Sequence, residues 1–581
     1  MTKRKIPGFN SADVLAPLVV GITGHRVLRE EDRPALEEKV REILAELRKN
    51  YPDTPLILIS ALAEGADRLA AKVALSSHLK ARLIVPLPMP IDQYEKDFMG
   101  ASLEEFRTLL DQADAHFELH APNEISAVRI PENGPERDRR YELVGRFIAE
   151  QCQILIALWD GRDSGKTGGT SSVVQFQLEG VPSRDPYSLE DPEGFPVYHV
   201  LTPRPDNPYP QGQVLECRVI YPKVFGGNEN RAKHYYSNMF ARLNEFNRYV
   251  AHPGRALASE IRKSKSNLLN PAANEELPAE MAPALNRYAV ADALAIRFQN
   301  SLFWVQVLLH VLIFLAFLCF LLFADTESQA LGFMYGSLVF VVTLLALKRW
   351  SRKRILDARH EDYRAMAEGL RVKFFWKRVR INDSIIDHYL GKHRSELDWI
   401  RNGFRGWNIA DQTEDPVEFH SLEAEEQRNR LAFVRKHWVD QQRGYFLRAG
   451  KRNHESDEHF ERSGLISMLA VVVLGLGLIY GAVRHVGAHR EEMVIGLEAL
   501  LAIAALLHHF NNRMGYAEYA KQYERMASLF AHGSHRLGQL LAQNDYQKAQ
   551  RVVVQIGHEA LTENGDWVLL RRERPLEIPH P

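Results

Sequence analysis

The chain has 581 residues, more than one ordinary domain needs, and its 73 Lys and Arg almost cancel its 74 Asp and Glu. A sequence pI near 7.1 leaves no basic excess of the kind a nucleic-acid binder carries. Three scattered cysteines, Cys152, Cys217 and Cys319, exclude a Cys-rich zinc module and fit a reducing compartment. Mean hydropathy is only slightly negative, −0.28, although 25% of residues are charged, because the apolar residues are gathered into a few runs.

The first of these, LVVGIT (18–23), follows a stretch that superficially resembles a signal peptide. Pro17 interrupts the apolar part and no small-x-small cleavage site follows, so 18–22 reads as a buried strand. It ends in Gly21, Thr23, Gly24, His25 and Arg26. A helix is predicted over about 33–49, with Leu36, Val40, Ile43, Leu44 and Leu47 on one face. PLILIS (55–60), ARLIVPLP (81–88), ILIALWDG (154–161) and PVYHVLTP (196–203) are further strand runs, the first followed by ALAEGADRLAAKVAL, with helical patterns at 103–110 and 141–151. Strand, loop and helix in alternation imply a parallel sheet covered by helices, with ligands bound at the carboxyl ends of the strands.

The Pro-rich piece 203–213 marks a boundary, 231–250 reads as a helix, and 264–283 as a linker. Then come two uncharged runs, 302–323 and 331–347, each near the length that crosses a bilayer. Their connector carries Asp325 and Glu327, and Lys348-Arg349 and Arg352-Lys353-Arg354 follow the second run. By the positive-inside rule this is a hairpin with both ends cytoplasmic. The chain continues helical and polar to about 448. A second hairpin follows, 464–483 and 493–507, and then the amphipathic YAEYAKQYERMASLF. The order of hairpin and Tyr-rich helix thus occurs twice. Gln306, His310 and Glu498 fall inside spans, where a polar group is costly unless it faces a bundle interior or water, so they are pore-lining candidates. His508-His509 and His532 with His535 have no acid or Cys ligand close by in sequence, and a solvated helix face explains them better than a metal site.

Three loops at strand ends carry the chemistry. In GITGHR, Gly21 and Gly24 permit a tight turn before a helix whose N-terminus suits a phosphate, although a plain strand–helix turn reads equally well. In SALAEGADRLA, Gly65 opens a helix beside Glu64 and Asp67, which serve equally well as helix-start acids. DGRDSGKTGGTSSVV suggests a phosphate loop through Gly165-Lys166-Thr167, but that pattern needs Gly at position 160, which is Asp160. What remains is Gly168-Gly169-Thr170 opening a helix, another anion-ready end.

The three loops together, in this order over about the first 200 residues, resemble the SLOG superfamily, the Rossmannoid domains of DprA/Smf and LOG-like proteins. The resemblance implies a pocket for a nucleotide-derived ligand lined by Gly21, Thr23, Gly24, Gly65, Gly168, Gly169 and Thr170, with His25, Arg26, Glu64, Asp67 and Arg146 beside them. LOG-type phosphoribohydrolases carry a catalytic Glu three residues past the Thr of their glycine loop. Here that place is Val173, so ligand sensing is expected rather than nucleoside hydrolysis. The hairpin modules, with the tail ENGDWVLLRRERP, are similar to the SLATT family, whose members are thought to be pore-forming effectors in bacterial conflict systems. A sensor ahead of membrane helices also resembles TRPM channels, by analogy of arrangement only.

The expected architecture is an α/β Rossmannoid domain (1–225), a helical linker (226–295), a first transmembrane hairpin with cytoplasmic helices (296–410), a polar connector (411–455), and a second hairpin with C-terminal helices (456–581). The expectation is a multi-pass inner-membrane protein with both termini cytoplasmic, a homo-oligomer that binds a nucleotide-like small molecule and no nucleic acid, holds no cofactor or metal, and lacks catalysis. A membrane-anchored nucleotide or nucleoside hydrolase and a non-catalytic membrane scaffold are the alternatives.

Overall fold

In the computed structural model the chain divides into an α/β unit (9–253 with 384–417) and a helical unit (1–8, 254–383 and 418–581). The structure describes residues 10–572 apart from 77, 120–133, 164–167, 183–191, 270–276, 326–330, 355, 382, 384, 386–396, 412–417 and 485–489. The acidic connector of the first expected hairpin, most of the second connector and the end of the C-terminal tail therefore lie outside the described residues.

Among the described residues seven strands form one sheet: β1 (Leu18–Gly24), β2 (Leu56–Ile59), β3 (Arg82–Leu87), β4 (Ala115–Glu118), β5 (Ile154–Trp159), β6 (Val197–Leu201) and β7 (Cys217–Ile220). Their order is β4-β3-β2-β1-β5-β6-β7, parallel throughout except for the antiparallel edge β6/β7. The central strands read as unbroken apolar runs because both faces are covered, which removes the alternation a half-exposed strand would show. Val19, Ile57, Ile84, Leu155 and Val197 are all fully buried. β1 pairs with β2 from Leu18↔Leu56 and with β5 from Val20↔Ile154, so strand order reverses at β1/β5.

The helices of this unit are α1 (Arg33–Asn50), α2 (Ala66–Leu75), α3 (Ile91–Tyr94), α4 (Ala101–Asp111), α5 (Pro135–Gln151), α6 (Thr170–Glu179) and α7 (Glu229–Ala251). The five buried residues of α1 are those of its expected apolar face, Leu36, Val40, Ile43, Leu44 and Leu47. Asn247 of α7 fastens the approach to β1: its Oδ1 accepts from the Ala16 N–H and its Nδ2 donates to the Ala16 carbonyl, both at 2.8 Å.

The helical unit contains α8 (Arg255–Leu268), α9 (Ala282–Asp325), α10 (Leu331–Arg354) and α11 (Leu356–Arg378). After it the chain returns to the α/β unit as α12 (Asp398–Ala410) and comes back as α13 (Ala424–Val434), α14 (Asp440–Val483), α15 (Arg490–Met514), α16 (Tyr516–Ala542) and α17 (Tyr546–Arg572). A π-helical turn, Arg435–Val439, joins α13 to α14 and buries Trp438, which stacks on Phe375 at 5.2 Å.

α9, α10, α14 and α15 each contain a stretch long and apolar enough to cross a membrane. Burial changes character along them. In α9, Leu285, Tyr288 and Leu294 are buried, whereas Trp304, Leu308 and Val311 further along are exposed. The run Leu465, Ile466, Leu469, Val472, Val473, Leu476 and Ile479 of α14 faces outward. A continuous apolar exterior of this kind is a lipid-facing surface, and the chain is a membrane protein with four candidate spans. Gln306 and His310 are buried among helices, and Glu498 is half-buried.

α12, which the sequence division placed with the first hairpin, packs on the α/β sheet. Trp399, Phe404, Trp407 and Ile409 are buried there, and the Trp407 indole N–H reaches the Val14 and Leu15 carbonyls, each at 3.1 Å. α7 likewise belongs to this unit and not to a linker. In both cases the partner sheet is remote in sequence, so an amphipathic helix gives no sign of what it covers.

Candidate functional site

A cavity of about 770 Å³ opens at the carboxyl ends of the central strands, at the β1/β5 reversal, where doubly wound sheets place their ligands. From β1 and the turn after it come Thr23, Gly24, His25 and Arg26, from α2 Asp67, and from the start of α6 Gly168, Gly169 and Thr170. Eight of the twelve expected ligand residues are thus brought together.

The other four lie elsewhere. A Cβ at Gly21 would stand 2.7 Å from Cys152 Sγ and 2.8 Å from Ile148 Cγ2, so this glycine lets α5 approach β1. Gly65 has φ +78° and a Cβ there would strike the His25 and Arg26 carbonyls; it shapes the turn behind the cavity wall. Glu64 accepts a hydrogen bond from the Ser102 hydroxyl. Arg146 donates to the Pro182 carbonyl at 3.0 Å and lies over the Phe176 ring.

Several lining residues were not singled out in sequence, among them Tyr94, Tyr141, Trp159, Arg162 and Arg204. Asp160 entered only as the residue that breaks a phosphate-loop spacing. It is the hub of one wall. Its backbone N–H donates to His25 Nε2 at 3.0 Å, Asn207 Nδ2 donates to its Oδ2 at 3.0 Å, and Arg204 Nε pairs with that oxygen at 3.1 Å. Burial pushes the Asp160 carboxyl up, but the Asn207 and Arg162 N–H donors and the Arg204 charge outweigh it and hold it below the usual range. Burial lowers His25 more than Asp160 raises it, so the imidazole is neutral and accepts at Nε2.

The opposite wall holds Asp67 and the tyrosines. Burial pushes the Asp67 carboxyl up to about 7, against hydrogen bonds from the Ala63 and Ala61 N–H groups and the Ser60 hydroxyl. Tyr94 donates to the Ala61 carbonyl at 3.1 Å, and the Arg26 guanidinium lies 5.1 Å from the centre of the Tyr141 ring. Tyr141 donates to Asp97, which also pairs with Arg137 at 2.5 Å.

The cavity lining carries three arginines and three aspartates. Arg204 and Asp160 neutralise each other, and burial disfavours charge on Asp67, so Arg26 and Arg162 outweigh Asp206. The start of α6 has no side-chain cap, and its dipole adds positive potential. Gly168, at φ +78°, makes this start possible: its Cβ would stand 2.8 Å from the Glu142 nitrogen. The arrangement suits an anion on Arg26, Arg162 and the start of α6, with the Tyr141 and Trp159 rings beside it for a flat group. Val173 lines the cavity with an apolar side chain. No protein-family model matches this chain, and no curated protein or solved structure matches it.

Proposed function

We propose that the α/β unit is a sensor for a phosphate-bearing, nucleotide-derived ligand and that the helical unit is the membrane effector it controls. The observation that carries the sensor reading is the cavity at the strand-order reversal, lined by two arginines, an uncapped helix start and aromatic rings. The effector reading is supported by four apolar helices with lipid-type exteriors and by Gln306 and His310 buried within their packing. In this reading the four helices cross the inner membrane as two SLATT-like hairpins with both termini cytoplasmic, the chain assembles as a homo-oligomer, and ligand binding permeabilises the bilayer, as in bacterial defence. The SLOG resemblance accounts for the site, and Val173 in place of an acid favours sensing over hydrolysis.

The test uses the full chain in liposomes loaded with a self-quenching dye. Addition of nucleoside di- and triphosphates, ADP-ribose or cyclic nucleotides should release dye for one ligand class and leave empty liposomes intact. Binding without release would remove the effector reading, and release without binding to the α/β unit would remove the sensor reading. A reporter inserted at position 327 should read external and one at 581 internal.

A second reading, a membrane-tethered hydrolase, has one observation in its favour. Asp67 is a carboxyl pushed up to about 7 inside the cavity, the range of a general acid or base. Sugar phosphate or free base released from nucleoside monophosphates by the full chain, and lost in Asp67→Asn, would favour it.

A further inference from the structure

The helical unit holds a histidine pair that the sequence separates by almost two hundred residues. His310 of α9 and His509 of α15 face each other with ring centres 5.4 Å apart and planes inclined by 33°. His310 is the ninth residue of the first apolar run and His509 lies just past the last one. His310 Nδ1 is 2.8 Å from the Gln306 carbonyl oxygen, one turn back on the same helix, so Nδ1 carries the proton and donates it there. Nε2 is thereby left as a lone pair. It is buried, has no hydrogen-bond partner, and belongs to a side chain more than nine-tenths buried. A buried acceptor left without a partner costs about 1–3 kcal/mol, and such groups call for an explanation.

We propose that His310 and His509 form a binding site for a divalent transition-metal ion of the zinc class, joining α9 to α15. A neutral imidazole whose Nδ1–H is fixed on a backbone carbonyl is the form in which histidine ligates metals through Nε2, and the carbonyl acts as the outer partner that orients the ring. Zinc–nitrogen distances of about 2.0–2.1 Å place the centres of two ligating imidazoles roughly 5 to 6.5 Å apart, depending on the angle at the metal. The observed separation falls in that interval. Among the described residues no cluster of three or more His, Cys, Asp and Glu side chains could hold a metal ion. Water completes the shell from the side of the half-exposed His509, which makes the ion exchangeable. Arg513 stands near both rings and opposes a cation. Two imidazoles without a carboxylate beside such a charge select zinc, copper or nickel over magnesium and calcium. Phe510 packs edge-on against His310, and Phe303 and Phe460 pack in turn against Phe510.

Zinc alone, titrated calorimetrically into the full chain in detergent micelles, tests the site. The expected result is one zinc per chain, with magnesium giving no heat. His310→Ala and His509→Ala should each weaken binding at least about tenfold. His508→Ala, at an exposed neighbour whose Nε2 meets Asn512, should leave it unchanged. His310→Gln keeps a polar side chain of similar size, so its loss of zinc, with unfolding temperature retained, separates ligation from folding. X-ray absorption should show two imidazole nitrogens on the metal. Zinc binding of equal strength in the wild type and the His310→Ala/His509→Ala double variant, whether strong or absent in both, overturns the proposal.

Discussion

The Asp160 backbone N–H donates to His25 Nε2 at 3.0 Å, fastening the end of β5 to the end of β1 across the strand-order reversal. The bond forms between two segments that both line the cavity, so its loss is felt by the site before the fold. His25→Ala leaves that buried N–H without its acceptor, at a cost of about 1–3 kcal/mol. The expected outcome is a lower unfolding temperature for the full chain and faster hydrogen exchange at the Asp160 amide, with exchange at the centre of β1 unchanged. Uniform loss of protection across β1 and β5 would show that the bond holds the sheet rather than the rim of the cavity.

Asp67 makes stability depend on pH in the direction opposite to most carboxyls. Its folded-state value, about 7, lies above the ordinary aspartate value of 3.8, so the folded chain holds a proton that the unfolded chain has released across that interval. The contribution is fully present below about 3.8, falls as pH rises toward 7 by about 1.4 kcal/mol per unit, and is flat above. Asp67→Asn removes the slope and should leave the variant more stable than the wild type at pH 8. The measurement is the difference in unfolding free energy between the two proteins at intervals from pH 4 to 8. A difference that does not change with pH would mean that Asp67 is ionised throughout.

The sheet was legible from sequence because central parallel strands advertise themselves: LVVGIT, LILI and ILIALW need no partner information to be read as buried. The glycine loops were legible for the same local reason, and the residues around Gly24 and Gly168 do meet in the cavity. Gly21 shows the limit. A glycine in a strand signals close approach, but only the structure says that the approaching group is α5. Arg204 and Tyr94 carry no local signal, since each reaches the site through the packing of strands far apart in the chain. Asp160 was visible as a residue, but its role depends on His25, 135 positions earlier.

The helical unit carries a largely buried ion triad whose members stand four and three residues apart on one helix. Glu368 of α11 pairs with Arg364 at 2.7 Å and with Arg371 at 2.5 Å, and Arg371 also donates to the Tyr288 hydroxyl at 2.8 Å. Burial pushes the Glu368 carboxyl up, and the two guanidinium charges more than reverse this, so it stays ionised. Removing one member of a buried pair costs about 3–5 kcal/mol because the partner charge remains. Glu368→Ala should therefore lower the unfolding temperature of the full chain much more than the exposed Glu458→Ala, whose partner Arg462 is solvated. Equal effects would place the triad in water rather than in the bundle.

The α/β unit is not completed by the chain that precedes the first candidate span. Among the described residues every strand lies before residue 221, but α12 supplies a layer of the core from residues 398–410. Ile409 belongs to the same apolar cluster as Val144, Ile148 and Val173, three residues that also line the cavity. Gln153 joins the same helix to the sheet: its Oε1 accepts from the Val19 N–H at 2.5 Å and its Nε2 donates to the Asn402 carbonyl at 3.2 Å. Gly406 lies so close to Pro17 that a Cβ would stand 2.6 Å from its carbonyl oxygen. Arg405 lies over the Phe195 ring and pairs with Glu193 at 3.1 Å. Without α12 this apolar face is open to water. Trp407→Ala alone should cost about 3–5 kcal/mol, as for other fully buried Trp residues. Residues 9–253 expressed alone should bind a dye for exposed apolar surface and unfold without a cooperative transition. The same residues joined through a Gly-Ser linker to 384–417 should unfold cooperatively and lose the dye. A cooperative transition in 9–253 alone, at the temperature of the linked form, would show that α12 only rests on a domain already complete.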